Sequence, residues 1–213
     1  MKKYVKTVII MLVVVGILVG FYLFLSRRNE QETSTEANAD RHVKDMTTTQ
    51  KLIAEAPYKQ YPVTPVQVLK YYNEIQVCFY NEEYSEEELK ELGKISRKLM
   101  DDELVAQQSD EEFYAQLKLD VANMKAQGDH GTTIYDIDVT PSMDVEYFDH
   151  EGYECARLYN TYTMKQMIEG KLYYPVIRYV YVMRRDTEGH WKILGFKKDE
   201  EGDSSAKAAP AGS

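Results

Sequence analysis

The sequence is poor in the residues that build common catalytic and metal centres. It contains two cysteines, four histidines and one tryptophan in 213 residues. Cys78 and Cys155 are too few and too far apart for a zinc site or a disulfide framework. The sequence also lacks a nucleophile motif, a glycine-rich phosphate loop and metal-ligand spacing. We therefore predict no catalytic residue, no metal site and no cofactor.

The two cysteines leave one alternative open. Cys78 is predicted in a helix and Cys155 in a strand, each among apolar neighbours, which favours two buried free thiols. Outside the cytoplasm, an oxidising environment would instead allow the two residues to form a disulfide.

Basic runs are also missing. All 35 Asp and Glu residues lie beyond residue 28, where they outnumber 21 Lys and Arg residues and give a formal charge of −14. Such a surface repels the phosphate backbone of nucleic acids unless a basic patch is present. We predict that the protein does not bind nucleic acid.

One stretch contains no charge at all. Residues 7–25 are uncharged and mostly apolar, and as a helix they would extend about 28 Å, close to the hydrocarbon thickness of a bilayer. They predict a transmembrane helix that acts as a signal anchor, preceded by a short cytoplasmic tail at residues 1–6. The lysines before the run and the charged domain after it favour a single-pass protein of the cell membrane whose bulk is extracytoplasmic.

A cleaved signal peptide is the alternative interpretation of this stretch. Ala37-Asn38-Ala39 has the small-x-small form of a cleavage site. However, the apolar run is longer than the core of a signal peptide, and Ala39 lies far beyond its end. We therefore favour the anchor.

Gly16 and Gly20 lie four residues apart within the apolar run. This spacing places them on one helix face, where a second helix can approach closely, so they are candidates for membrane-helix association. The simpler interpretation is that glycine is common in membrane helices. After the run, the polar composition of residues 26–60 predicts a flexible linker, with a helical turn near its end, and residues 199–213 are predicted to be a disordered tail.

The first half of the domain at residues 61–198 is predicted to be helical. Thr64-Pro65 is a helix start, with an N-cap hydroxyl and a proline at the first helical position. Ser85 and Ser109 each begin a capping box. Apolar residues recur at helical spacing after each start, which predicts three helices that are apolar on one face.

The second half has the pattern of antiparallel strands. Four long strands are predicted at residues 134–147, 153–168, 172–185 and 190–196. Pro141 predicts a break in the first strand, and Pro175 predicts a bulge or bend in the third. Helices followed by a meander predict an α+β fold, in which three helices pack into the concave face of a curved four-stranded antiparallel sheet.

Short segments in the domain carry a resemblance to known families. They are Tyr61-Pro-Val-Thr-Pro65, Tyr72-Asn73, Tyr80-Asn-Glu-Glu-Tyr84 and Gly189-His-Trp-Lys-Ile-Leu-Gly-Phe196. With the order of helices and strands, the last segment resembles the nuclear transport factor 2-like superfamily. Together the segments are similar to an uncharacterised family of single-span bacterial membrane proteins, mostly Gram-positive. The resemblance implies a nuclear transport factor 2-like roll outside the cytoplasm.

Enzymes of that superfamily place an Asp or a His–Asp pair inside the cone formed by the helices and the sheet. Here His130, His150 and His190 are predicted in or beside turns. Asp136 and Asp138 alternate with apolar residues, which is typical of the solvated face of a strand. We therefore do not expect an enzyme.

Tyrosine is the one unusually abundant residue, with 18 copies. An aromatic ring with a polar tip suits a small amphipathic ligand. The candidate cavity-lining residues are Tyr72, Tyr162, Tyr179, Tyr181 and Trp191. The alternative is that these residues only pack in the core and on the sheet, because tyrosine is common in strands.

Two functions follow as predictions. The first is a membrane-anchored, extracytoplasmic interaction domain, non-catalytic and part of a cell-envelope assembly, that binds protein partners or forms a homodimer through its sheet. The second is a small-ligand-binding domain that uses the cone-shaped cavity. An open cavity with converging polar groups would favour the ligand, whereas a filled cone and an exposed apolar patch on the sheet would favour the protein partner.

Overall fold

The chain folds in the predicted order, helices first and strands after. A computed structural model describes residues 46–200. Its helices are α1 Thr48–Glu55, α2 Pro65–Asn81, α3 Glu86–Lys98, α4 Asp102–Val105 and α5 Asp110–Lys125. After a 3₁₀ turn between the first two strands, the sheet comprises β1 Thr132–Val139, β2 Glu146–His150, β3 Tyr153–Ile168, β4 Lys171–Tyr173, β5 Val176–Arg185 and β6 Trp191–Lys198.

The three predicted helix starts are confirmed. The Thr64 side chain accepts a hydrogen bond from the Gln67 amide, and Pro65 is the first residue of α2. Ser85 and Ser109 each form a complete capping box at the start of α3 and α5. These caps satisfy amide groups that the first turn of a helix leaves without a partner.

β3 is the central strand of the sheet. β1 and β2 pair with one edge of it, and β4 and β5 pair with the other. β6 then pairs with β5, and all pairs are antiparallel. The buried residues of β3 alternate from Ala156 to Met164, so one face of the strand packs against the helices.

The predicted count of four strands is wrong, because the sheet has six. The break predicted near Pro141 separates β1 from β2. Pro175 separates β4 from β5, since proline has no amide hydrogen to donate to a neighbouring strand. Its carbonyl instead accepts a hydrogen bond of 2.9 Å from the Met164 amide.

The predicted count of three helices is also wrong, because residues 46–200 contain five. α1 lies inside the segment 26–60 that was predicted to be a linker. Its Leu52 is only 9% exposed and belongs to the core, which explains why the segment is ordered there. α4 has only four residues, too few to show a helical period.

The predicted fold class also included a transmembrane helix, and the fold described here does not contain one. Within residues 46–200, every helix is too short or too polar to cross a bilayer. The predicted span at residues 7–25, with Gly16 and Gly20, lies outside the described residues. The predicted fold class is therefore replaced by an α+β domain of five helices and a six-stranded antiparallel sheet.

Both cysteines are buried free thiols. Cys78 lies on α2 and is 0% exposed, and Cys155 lies on β3 and is 1% exposed. Burial raises the pKa of both thiols. They therefore behave as small core residues.

A buried ion pair connects the start of α4 to the sheet. The guanidinium of Arg184 on β5 binds both carboxylate oxygens of Asp101, with an Nε–Oδ2 distance of 2.9 Å, and its Nη1 lies 2.7 Å from Glu103 Oε1. The side chain of Asp101 is 4% exposed and that of Arg184 is 15% exposed. This bidentate pair holds the α3–α4 connection on the sheet.

We predict that Arg184→Met lowers the free energy of unfolding by about 3 kcal/mol, because it leaves the Asp101 carboxylate buried without its cation. Urea unfolding of the full chain measures the change. Arg185→Met is the matched control, since Arg185 pairs with Glu154 at the surface, where both side chains are nearly half exposed. The control should cost less than about 1 kcal/mol. Equal losses in the two variants would contradict a structural role for the buried pair.

Candidate functional site

A reciprocal amide pair joins the middle of α2 to β3. Asn73 Nδ2 donates to Asn160 Oδ1 at 3.1 Å, and Asn160 Nδ2 donates back to Asn73 Oδ1 at 2.9 Å. Asn73 is 4% exposed and Asn160 is 0% exposed. The Tyr162 hydroxyl also donates to Asn73 Oδ1 at 2.7 Å and lies 3.5 Å from the Tyr181 hydroxyl. The amide pair and the two tyrosines form one buried polar network.

A cavity of about 530 Å³ lies next to this network, between the helices and the sheet. Its aromatic lining comprises Tyr72, Phe79, Tyr80, Phe113, Tyr162, Tyr179, Tyr181 and Phe196. Its aliphatic lining comprises Met100, Leu117, Met124, Ile134, Met164 and Ile177. Its other polar residues are Gln76, Ser96, Gln108, Gln116, Asp120, Asn123 and Gln127. The volume is in the range of small-molecule sites.

The tyrosine rings of the cavity pack edge to face. Tyr162 and Tyr179 lie 6.0 Å apart at 79°, and Tyr72 and Tyr181 lie 6.2 Å apart at 67°. Phe196 stacks on Tyr181 with ring centroids 5.3 Å apart. Rings in this arrangement stabilise one another, and all of them line the cavity.

Four of the tyrosine hydroxyls in the cavity stay neutral at physiological pH. Burial raises the pKa of Tyr72, Tyr162 and Tyr181 well above the usual value for tyrosine. Burial, with a smaller contribution from the charge of Asp120, raises the pKa of Tyr80 to about 12. Within residues 46–200, no side chain or backbone group is hydrogen bonded to the hydroxyls of Tyr72, Tyr80 or Tyr179. These three groups are therefore available to a ligand.

The structure places four of the five predicted cavity residues around this space. Tyr72, Tyr162, Tyr179 and Tyr181 all line it, whereas Trp191 is not among the described residues that do. Trp191 is 4% exposed and packs against Tyr147, and its carbonyl accepts a hydrogen bond from Tyr61. Trp191 is the first residue of β6, whereas Phe196, near the other end of that strand, lines the cavity. Ligand binding by the four tyrosines remains a prediction.

The sequence analysis missed several residues of the cavity. Gln76 and Tyr80 follow Tyr72 at spacings of four and eight residues, which places all three on one face of α2. This spacing was a usable signal for both residues. Phe113, Leu117 and Met124 of α5 recur at the helical spacing that predicted its apolar face, but that pattern does not distinguish a face that borders a cavity from one that packs in a core.

α5 covers the cavity but is weakly anchored to the domain. Of its 16 residues only Val121 is buried. Phe113, Leu117 and Met124 are half-buried and line the cavity. Gly93 on α3 permits this approach, since a Cβ atom there would lie 3.3 Å from Leu117 Cδ2.

The described histidines lie outside the cavity. His130 and His150 are exposed, and His190 lies 3.7 Å from Asp186 and 3.5 Å from Glu188 in a turn. Residues 46–200 contain no cluster of three His, Cys, Asp or Glu side chains that is arranged to hold a metal ion. In this part of the chain, the cavity therefore offers tyrosine hydroxyls and side-chain amides as its main polar groups.

Fold and cavity together define an α+β domain with a tyrosine-lined cavity beneath a weakly anchored helix. The family model described as a domain of unknown function, DUF6715, matches residues 1–196. The chain belongs to this family. No curated protein matches the chain.

We predict that the protein loses stability above about pH 10, where the unfolded chain releases phenolic protons that the buried tyrosines retain. Tyr162→Phe removes one such group and should reduce the slope of stability against pH by about 1.4 kcal/mol per pH unit. Urea unfolding at a series of pH values measures the slope.

Tyr58→Phe is the control for this titration, because Tyr58 is 89% exposed. It should leave the slope unchanged, since the phenol meets water in the folded and unfolded chains alike. A stability that stays constant from neutral pH to well above pH 10 would contradict the burial of these hydroxyls.

Proposed function

We propose that this domain is a non-catalytic binding domain that holds a small amphipathic ligand in its cavity. The observation that carries the proposal is the convergence of five tyrosines on one space of about 530 Å³. Their hydroxyls provide neutral hydrogen-bonding groups, and the phenylalanine, methionine and isoleucine side chains provide apolar walls. This mixture is typical of sites that orient a mostly apolar molecule through a few polar contacts.

The lining residues indicate which ligands fit. A fully apolar ligand would leave the hydroxyls of Tyr72, Tyr80 and Tyr179 without partners, which is unfavourable in a water-poor site. A highly polar ligand would gain little from the aliphatic wall. A ligand with one polar end and a ring-sized apolar body satisfies both parts of the cavity.

We predict that naphthylethanol, a neutral amphipathic probe, binds the full chain and that Ile177→Trp weakens its binding by at least about tenfold, or 1.4 kcal/mol. Ile177 lines the cavity, so the larger ring would occupy the space of the probe. Isothermal titration calorimetry measures the affinity.

Val180→Trp is the matched control for this experiment. Val180 lies on the same strand, three residues along, and faces the opposite side of the sheet. Circular dichroism checks that both variants fold. Equal affinities for the native chain and Ile177→Trp would count against the cavity as the binding site.

The second candidate function is an interaction domain of a cell-envelope assembly. It is favoured by a groove on the outer face of the sheet, whose apolar part is lined by the half-buried side chains of Phe148, Tyr159, Val180, Val182 and Leu194. Charged side chains, among them Arg157, Lys197 and Glu200, line the rest of the groove. We infer a second copy of the chain as its occupant, since matching strands of two copies can pack such faces together.

We predict for this second candidate that the full chain sediments as a dimer and that Val182→Glu shifts it to the monomer, because a charge in the groove would lose its hydration. Val63→Glu is the control, since Val63 lies outside the sheet and is 68% exposed. Sedimentation velocity distinguishes the two states. A native chain that is monomeric throughout the micromolar range would eliminate the homodimer.

The predicted location at the cell membrane with the bulk of the chain outside the cytoplasm rests on residues outside the described part of the chain. It stays a prediction. The family match does not extend to the narrower resemblance to bacterial membrane proteins with a nuclear transport factor 2-like domain, which also stays a prediction.

A further inference from the structure

The charged side chains among the described residues that line the cavity are of one sign, negative. No Lys, Arg or His is among the described residues that line it, and Asp120 is the single carboxylate. Gln116 Nε2 donates to Asp120 Oδ1 at 2.7 Å. Within residues 46–200, no cation lies within ion-pair distance of Asp120, so its charge is not balanced by the protein there.

The lysines closest to Asp120 along α5 have other partners. Lys118 lies 2.9 Å from Glu86 Oε1 on α3. Lys125 donates to the Glu82 carbonyl at 2.8 Å and lies over the ring of Tyr84. Neither lysine pairs with Asp120, so this carboxylate is the one charged side chain among the described residues that line the cavity.

Two further features make this rim attractive to a cation. Asn123 and Met124, in the last turn of α5, line the cavity, and the end of a helix carries a partial negative charge on its carbonyl groups. The tyrosine and phenylalanine rings add the negative potential of their faces. Tyr80 and Asp120 both line the cavity, and burial together with the carboxylate charge of Asp120 raises the pKa of Tyr80.

We propose that the ligand of this cavity is an organic amine in its cationic form, with its apolar body among the tyrosine rings and its ammonium group at Asp120 and Tyr80. This inference rests on the proposed ligand-binding function and adds the charge of the ligand. An anion would be repelled by Asp120. A neutral molecule would find hydrogen-bonding groups but would gain nothing from the unbalanced carboxylate.

Three probes with the same aromatic body and different charge test the proposal on the full chain. They are naphthylethylamine, which is cationic near neutral pH, naphthylethanol, which is neutral, and naphthylacetate, which is anionic. We expect the amine to bind about tenfold more tightly than the alcohol, because ring faces and a partly solvated carboxylate each contribute a few-fold gain in affinity. The acid should bind most weakly of the three.

Asp120→Asn should lower the affinity for the amine to about that for the alcohol, so that the preference for the amine is lost. Asp120 is exposed, so the substitution is compatible with folding. Glu111→Gln is the matched control, since it removes the same charge from an exposed position of the same helix that does not line the cavity. It should leave all three affinities unchanged.

The outcomes separate this inference from the function on which it rests. Equal affinities of the native chain for amine and alcohol, with both lost in Ile177→Trp, would overturn the amine assignment and keep the cavity as a binding site. A preference for the amine that survives in Asp120→Asn would also overturn it. Absence of binding by all three probes would overturn the proposed function as well.

Discussion

The Asn73–Asn160 amide pair is the interaction on which the arrangement of the domain depends. Each amide supplies the partner that the other needs, in a place that water does not reach. Sliding α2 along β3 by one helical turn, about 5.4 Å, would separate both amides and leave them buried without partners. The pair therefore fixes the position and rotation of α2. That rotation directs Tyr72, Gln76 and Tyr80 toward the cavity.

The cavity exists because the network beside it is polar and rigid, while the opposite boundary is thin. On one side, the two amides of the pair are hydrogen bonded to each other, and the Tyr162 hydroxyl is hydrogen bonded to Asn73. On the other side, α5 contributes one buried side chain and several half-buried ones. A larger apolar face on α5 would have filled the space between the layers. Among the described residues that line the cavity, the polar groups are hydroxyls and side-chain amides, and Asp120 is the one charged side chain.

The helix starts and the strand breaks could be predicted from the sequence because they depend on local chemistry. Thr64, Ser85 and Ser109 cap their own first turns, and Pro141 has no amide hydrogen to donate to a neighbouring strand. α1 was underestimated because its stability comes from Leu52, which packs against residues distant in the chain. The separation of β4 from β5 at Pro175 was predicted only as a bulge or bend, because the short strand β4 depends on pairing with β3.

The cavity residues show the same difference between features that depend on local sequence and features that depend on contacts distant in the chain. Tyr162, Tyr179 and Tyr181 were proposed from the chemistry of tyrosine, and they line the cavity because strand alternation places them on the face that the helices cover. Trp191 follows the same strand alternation, but it lies at the start of β6, where the core is filled. The contribution of α5 depends on how far the helix stands from the sheet, and no local pattern encodes that distance.

Because α5 buries only one side chain, its attachment to the domain affects how molecules enter and leave the cavity. A helix held by so few core contacts opens at a much smaller free energy than the global unfolding of the sheet beneath it. Entry and release then need only the transient loosening of this one segment while α2 and β3 stay joined. A ligand that contacts both α5 and the sheet would stabilise the attachment of α5 to the sheet. Amide protons of α5 would then exchange more slowly in the ligand-bound protein than in the ligand-free protein.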